Sequence, residues 1–238
     1  MMTHTTAPAT PVALVTGGSR GLGRALVNAL LDRGWHVITD ARDARALRAA
    51  TADRPTVRPI AGDVTDPAHR AALAGAVDDA GRLDLLVNNA STLGPSPLPP
   101  LATVDEATLV EVHRTNVIAP LLVFQAVRTR LEASEGVVIN VTSDAAAGPW
   151  PGWGVYGSSK AALEQVTNVL AAEHPGLAVY AFDPGDLRTA MHQAAFPAED
   201  ISDRPAPSSV VPALLALIDD RPPSGRLRAA DVAVPSGG

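Results

Sequence analysis

Short apolar runs alternate with stretches of helical periodicity along most of the chain. Val12-Ala13-Leu14-Val15, between Pro11 and a cluster of glycines, has the length and composition of a buried strand. From residue 21 to 33, Leu22, Leu26, Ala29 and Leu30 recur at the helical period, and Gly34 stops them. The alternation repeats: strand 35–39, helix 44–50, strand 57–60, helix 67–80, strand 83–87. After a Pro-rich loop over 91–100, one long helix is expected over 103–131, bent at Pro120. Strand 137–141, helix 156–173 and strand 177–182 follow. The last fifty residues are less regular, with a helix expected near 208–218 and a final strand at 231–234.

Strands that are apolar throughout and alternate with helices predict a parallel sheet covered on both faces. The expected fold is therefore α/β, a doubly wound, Rossmann-type sheet in a single domain over residues 11–238. Residues 1–10, rich in Thr, Ala and Pro, read as a flexible tail.

Composition narrows the function without naming it. The chain has no cysteine, which excludes disulfides, Cys-ligated zinc and thiol nucleophiles. Its six histidines show no H-E-x-x-H spacing, so no metal site is expected. A net charge of −6 carries no nucleic-acid footprint. No basic segment followed by an apolar run marks a signal peptide, and the apolar helical stretch 118–127 is too short to cross a bilayer. A cytoplasmic protein with neither membrane nor nucleic acid as partner is the expectation.

Two clusters carry chemistry. Thr16-Gly17-Gly18-Ser19-Arg20-Gly21-Leu22-Gly23 lies between the first strand and the first helix, where a tight turn presents free N–H groups to a pyrophosphate. An acid at the end of the second strand reads ribose hydroxyls, whereas an arginine there accepts a 2′-phosphate. Both Asp40 and Arg42 are nearby, and either is equally a strand end or a surface charge. Further on, Tyr156 and Lys160 share one helix face, and Lys160 is the only lysine in the chain. A neighbouring ammonium favours a phenolate and draws the phenol towards neutral pH. Ser143 follows the strand 137–141 closely, at the carboxyl edge where ligands bind. Asn116 is a poor helix-interior residue unless its amide has a task; a solvated amide is the alternative.

The glycine turn, Asp63-Val64, Asn88-Asn89-Ala90, Asn116, Ser143, Tyr156-x-x-x-Lys160 and Pro184-Gly185 with Thr189 together resemble the short-chain dehydrogenase/reductase family, in its short single-domain branch. The resemblance spans about residues 12–189. It implies a catalytic tetrad: Tyr156 as proton donor or acceptor, Ser143 orienting the substrate oxygen, Lys160 holding the nicotinamide ribose and tuning Tyr156, and Asn116 anchoring a water relay behind Lys160. It also implies that Gly17, Ser19, Arg20, Gly21, Leu22 and Gly23 cradle the cofactor and that Asp63 and Val64 flank its adenine. Asn89 and Ala90 then line it, and Pro184, Gly185 and Thr189 meet its nicotinamide end. The family's NAD-selecting acid position falls on Ala41, followed by Arg42, so NADP(H) is favoured over NAD(H).

The reaction so implied is hydride transfer between the nicotinamide and a ketone or secondary alcohol. A non-redox isomerase, dehydratase or cyclase on the same fold is the alternative, or a cofactor sensor without turnover. Trp150 and Trp153 lie in the stretch that borders the substrate; they are either a wall for a flat apolar molecule or packing under the adjacent helix. Three positions depart from the pattern: Ser91 where glycine is usual, Asp186 after Pro184-Gly185, and a short polar segment after Thr189. In the family the two long helices pair across a two-fold axis. Their apolar positions Val117, Leu121, Leu122, Val123, Ala161, Ala162, Leu163 and Val166 make a homodimer or homotetramer the expectation.

Overall fold

The computed structural model describes residues 10–233, so all but one residue of the expected tail lie outside it. In chain order it contains β1 (Val12–Val15), α1 (Gly21–Asp32), β2 (His36–Ala41), α2 (Ala44–Ala50), β3 (Val57–Ala61), α3 (Pro67–Ala80) and β4 (Leu85–Asn88). Then come α4 (Glu106–His113), α5 (Ala119–Ala133), β5 (Val137–Val141), α6 (Gly154–Glu173), β6 (Ala178–Asp183), α7 (Ala190–Ala195), α8 (Val211–Asp220) and β7 (Gly225–Arg228). The strands form one parallel sheet in the order β3-β2-β1-β4-β5-β6-β7. Strand order reverses between β1 and β4, which opens a crevice beyond their carboxyl ends.

Alternation along each strand sorts side chains to the two faces. Ala13, Val15, Val37, Leu85 and Ile139 pack against Leu26 and Leu30 of α1 and Leu214 and Leu217 of α8. Val12, Leu14, Ile38, Leu86 and Val138 pack against Leu73 of α3, Val123 and Val127 of α5, and Leu170 of α6. Buried polar groups tie the layers at the site end. Asn88 Nδ2 donates to Asn140 Oδ1 (2.8 Å), and Asn140 Nδ2 donates to Thr167 Oγ1 of α6 (2.8 Å).

Two expectations are corrected. The long helix starts at Glu106, where the Asp105 side chain caps it, and its irregularity precedes Pro120 instead of centring on it. One π turn, Arg114–Ile118, widens the helix, with the Ala119 N–H reaching back five residues to Arg114. Pro120 follows that turn directly; its missing N–H and bulky ring disfavour a regular turn before it. The final strand is at Gly225–Arg228, and Asp231 sits in a 3-10 turn. Gly-Arg-Leu-Arg has no apolar run to read, because it is an edge strand whose arginines face carboxylates. Residue 234 lies outside the described residues.

Candidate active site

The turn after β1 is held from below. Gly17 adopts φ 74°, and a Cβ on Gly23 would collide with the Gly17 carbonyl oxygen, so the turn closes only with glycine there. Asp40, 1 % exposed, accepts the Gly17 N–H through Oδ1 (2.8 Å) and meets His69 Nε2 through Oδ2 (2.8 Å). Both carboxylate oxygens are thus engaged beneath the turn. From the other side, Asn89 Nδ2 donates to the Thr16 carbonyl (2.8 Å), and Thr16 Oγ1 accepts the N–H groups of Asn89 and Ala90 (3.0 Å each).

Above this support opens a cleft of about 700 Å³. Gly17, Ser19, Arg20, Gly21 and Leu22 line it, together with Arg42, Asp63, Val64, Asn89, Ala90, Pro184, Gly185 and Thr189. Gly23 lies behind the lining, closing the turn. Arg20 and Arg42 are exposed at this end, and Arg20 leads into α1, where unpaired helix N–H groups favour an anion. A cradle that tolerates no Cβ, a helix N-terminus and two arginines fit a dinucleotide phosphate.

Ser143, Tyr156 and Lys160 line the same cleft where β5 meets α6. A Cβ on Gly157 would stand 2.5 Å from the Ala145 carbonyl oxygen, so glycine there lets α6 press against the turn that follows Ser143. Lys160 Nζ donates to the Val141 carbonyl (2.8 Å) and lies 5.4 Å from the Tyr156 ring centre. Burial lowers the Lys160 ammonium to about 7. Burial also pushes the Tyr156 phenol well above its ordinary value, and the charges of Asp183 and Asp144 push the same way. What favours the phenolate is the pair of hydroxyls on Ser91 and Ser143.

Asn116 makes no hydrogen bond to Lys160. Its Oδ1 accepts the Thr92 N–H (2.9 Å) and the Ser91 hydroxyl (3.1 Å), while its Nδ2 donates to the Thr92 carbonyl (2.9 Å) and to Ser159 Oγ (3.0 Å). Ser159 in turn donates to the Tyr156 carbonyl (2.6 Å). The buried amide therefore staples the loop after β4 to the helix that carries Tyr156 and Lys160.

Beyond the tyrosine the wall is aromatic. Trp153 lies 5.7 Å from Tyr156 and 5.9 Å from Phe196, ring centre to ring centre, and Phe196 lies 5.0 Å from His192. Trp150 stands 53 % exposed at the rim. The α7 segment roofs this end, tied to the loop after β4 where Ser96 Oγ donates to the Ala194 carbonyl (2.6 Å). His192 lines the cleft with its Nε2 buried and unpartnered, and its Nδ1 lies 3.8 Å from Asp186.

Sequence reasoning missed Arg226. It bonds Asp183 (2.8 Å), Glu164 (2.9 Å) and the Ser143 carbonyl (3.4 Å), joining β7 to the ends of β5 and β6. Nothing local in Gly225-Arg226-Leu227-Arg228 signals this, because its partners lie more than forty residues away in the chain.

A doubly wound parallel sheet with a dinucleotide-sized cleft at its reversal point, and Ser143, Tyr156 and Lys160 at one end of it, defines a nucleotide-dependent oxidoreductase class. The short chain dehydrogenase family model matches residues 11–200, and the chain belongs to that family. It is 36% identical over 181 residues to serine 3-dehydrogenase of Rhizobium radiobacter, covering 74% of this chain and 72% of the relative. It is 33% identical over 201 residues to sepiapterin reductase of Mus musculus, covering 77% of each. A Shigella flexneri short chain dehydrogenase complexed with NADP superposes with TM-score 0.86 at 29% identity, covering 92% of this chain and 97% of that one. An Escherichia coli relative complexed with NADPH gives TM-score 0.85 at 29% identity, covering 92% and 96%.

Proposed function

We propose that the protein is an NADP(H)-dependent carbonyl reductase or alcohol dehydrogenase acting on a ketone or secondary alcohol with an aromatic or bulky apolar group. The observation that carries this is the meeting of Ser143, Tyr156 and Lys160 in the cleft that begins at the glycine turn. For the 2′-phosphate, Arg42 is exposed beside Ala41, and Asp40 is committed beneath the turn. Two similar solved structures carry NADP or NADPH.

The cofactor supplies a hydride acceptor or donor when bound. In the reductive direction the Ser143 hydroxyl holds the substrate oxygen, and the Tyr156 hydroxyl delivers its proton to that oxygen as negative charge gathers there. Lys160, the one lysine, would hold the nicotinamide ribose, and Asn116 acts as a positioning residue through Ser159 and Thr92. The Trp153 and Phe196 rings offer a flat face to an aryl group and exclude water from the developing charge.

A panel of aryl ketones and aryl diketones with NADPH, followed by loss of cofactor absorbance, tests this. Turnover that Tyr156→Phe abolishes while NADPH still binds is the expected result. Tight NADPH binding without turnover of any carbonyl or alcohol would overturn it in favour of a cofactor sensor.

A further inference from the structure

Helix α6 meets the end of β5 through successive contacts along one face. Lys160 Nζ donates to the Val141 carbonyl (2.8 Å). Glu164, four residues on and so on the same helix face, accepts the hydroxyl of the next strand residue, Thr142, at Oε1 (2.7 Å). An ammonium and a carboxylate thus reach neighbouring residues of one strand from neighbouring turns of one helix, and opposite charges so spaced attract. Yet the ammonium bonds a neutral carbonyl, and Glu164 Oε1 is taken by Arg226 Nε of β7 at 2.9 Å.

The same guanidinium also holds Asp183, whose Oδ2 accepts from Arg226 Nη2 (2.8 Å), so it spans carboxylates of two elements. Asp183 has other partners: its Oδ1 accepts the Gly185 N–H (3.0 Å), and Arg228 lies 3.8 Å from its Oδ2. Glu164 has no second cation among the described residues; besides Arg226, only the neutral Thr142 hydroxyl holds it. Its side chain is 18 % exposed, and Lys160 is the only cationic side chain of its helix. Without Arg226, a carboxylate largely out of water would therefore have the Lys160 ammonium, one turn back, as its nearest cation along the helix. The other titratable groups lining this end of the cleft are Tyr156 on the same helix, Asp144 after β5 and Asp183 at the end of β6.

We propose that Arg226 is a positioning residue of the active site: it keeps the Glu164 carboxylate from drawing the Lys160 ammonium off the Val141 carbonyl, and so keeps that ammonium beside Tyr156 and free for the ribose. An arginine suits the task because its planar fork presents Nε to Glu164 and Nη2 to Asp183 at a fixed separation, which a compact ammonium cannot do. Strand β7, at the edge of the sheet, thereby acts on a helix it does not follow in the chain. The inference rests on Lys160 serving the ribose and Tyr156 in the proposed reaction.

The test uses the chain's single lysine. With isotope-labelled lysine in the untagged, cofactor-free protein, one side-chain resonance in the magnetic resonance spectrum reports the Lys160 titration, expected near 7. Arg226→Gln should raise that titration by about one pH unit or more, since a freed carboxylate favours the charged ammonium. Glu164→Gln in the same background should bring it back. Beside an intact Arg226, Glu164→Gln should move it by less than about half a unit, so the two substitutions are not additive. In the enzyme, Arg226→Gln should lower kcat for carbonyl reduction roughly tenfold, one pH unit of free energy read as a rate, and Glu164→Gln should return most of it. An arginine that only closes the sheet edge would cost melting temperature and leave the resonance where it was, which would overturn the proposal. So would a shift that Glu164→Gln fails to reverse, or equal shifts from Glu164→Gln in both backgrounds, the mark of a fixed field and not of a carboxylate held away. If Arg226→Gln does not fold, Glu164→Gln alone decides: a fall of about one unit would show Glu164 already acting on the ammonium and sink the idea. The titration needs no substrate, so it reads Arg226 even if no carbonyl compound is turned over, the result that would defeat the functional reading alone.

Discussion

An unfolded chain holds the Lys160 proton up to an ordinary value of 10.5, whereas in the folded protein burial brings the ammonium down to about 7. Between those values the unfolded state binds more protons, so this residue makes stability rise with pH across that interval. Below about 7 the folded chain carries the full cost of a desolvated charge. Lys160→Met should therefore raise the Tm of the cofactor-free protein, most below about pH 7 and progressively less towards alkaline pH, while abolishing turnover. Thermal melts across that pH range check the sign, and a gain that grows with pH would be the wrong one. Lys160→Arg keeps a charge but replaces a compact ammonium with a planar fork in a fully enclosed site, and should cost on the order of a hundredfold in rate. His192 poses a related trade. Its buried Nε2 has no partner among the described residues, and the side chain lines the cleft. His192→Phe should stabilise the fold yet raise KM for substrates bearing a second hydrogen-bonding group, as steady-state kinetics on paired aryl ketones would reveal.

The glycine turn and the helix it leads into act as one element because Asp40 and Asn89 lock them from two sides. Removing Asp40 leaves the Gly17 N–H and His69 without their buried partner, so Asp40→Ala should destabilise by roughly 3 kcal/mol in chemical denaturation. It should weaken NADPH and NADH together, leaving their ratio alone. Arg42→Ala should do the reverse: little effect on stability, and a weakening confined to NADPH. Titrating both nucleotides against both variants separates support of the turn from reading of the phosphate. The sequence presents Asp40 and Arg42 two residues apart, and the Gly17 and His69 contacts of Asp40, across twenty-three and twenty-nine residues, are what set them apart. The same limit applies elsewhere. Strands of continuous apolar residues such as Val12–Val15 are legible because burial on both faces favours apolar side chains at every position. Strand β7 and the π turn are not, since charge pairing with a distant strand makes the one, and the other comes from a proline beyond it. Ser143, Tyr156 and Lys160 are found by spacing, whereas Ser91, Asp183 and Arg226 show their contacts only once the sheet has brought them together.

At the scale of the whole molecule, both edges of the sheet are poorly suited to pairing with another sheet. The outer strand β3 carries Arg58 and Pro59, so charge and a missing donor blunt it, and on β7 the charges of Arg226 and Arg228 do so alone. Association would then favour a helical face. Of the apolar positions on the long helices, Val123 and Leu163 are consumed by the core, and Leu121 and Val166 pack against it. Others are left outside: Val110 at 56 % exposed, Ile118 at 49 % and Val169 at 42 %, on helices that run side by side. Exposed aliphatics mark a covered surface where they form one contiguous patch. Leu101 and Trp150, also exposed, belong to the loops around the cleft instead. A homodimer or tetramer built on α4, α5 and α6 would also steady the helix that carries Tyr156 and Lys160, so assembly and activity should be linked. Light scattering at micromolar concentration should give at least twice the monomer mass, and Ile118→Glu combined with Val169→Glu should reduce it to the monomer with the circular dichroism unchanged. The double variant should also lose turnover in parallel with mass as the protein is diluted. A strict monomer in the native protein would refute the assembly, and full activity in a monomeric variant would break the link between the two.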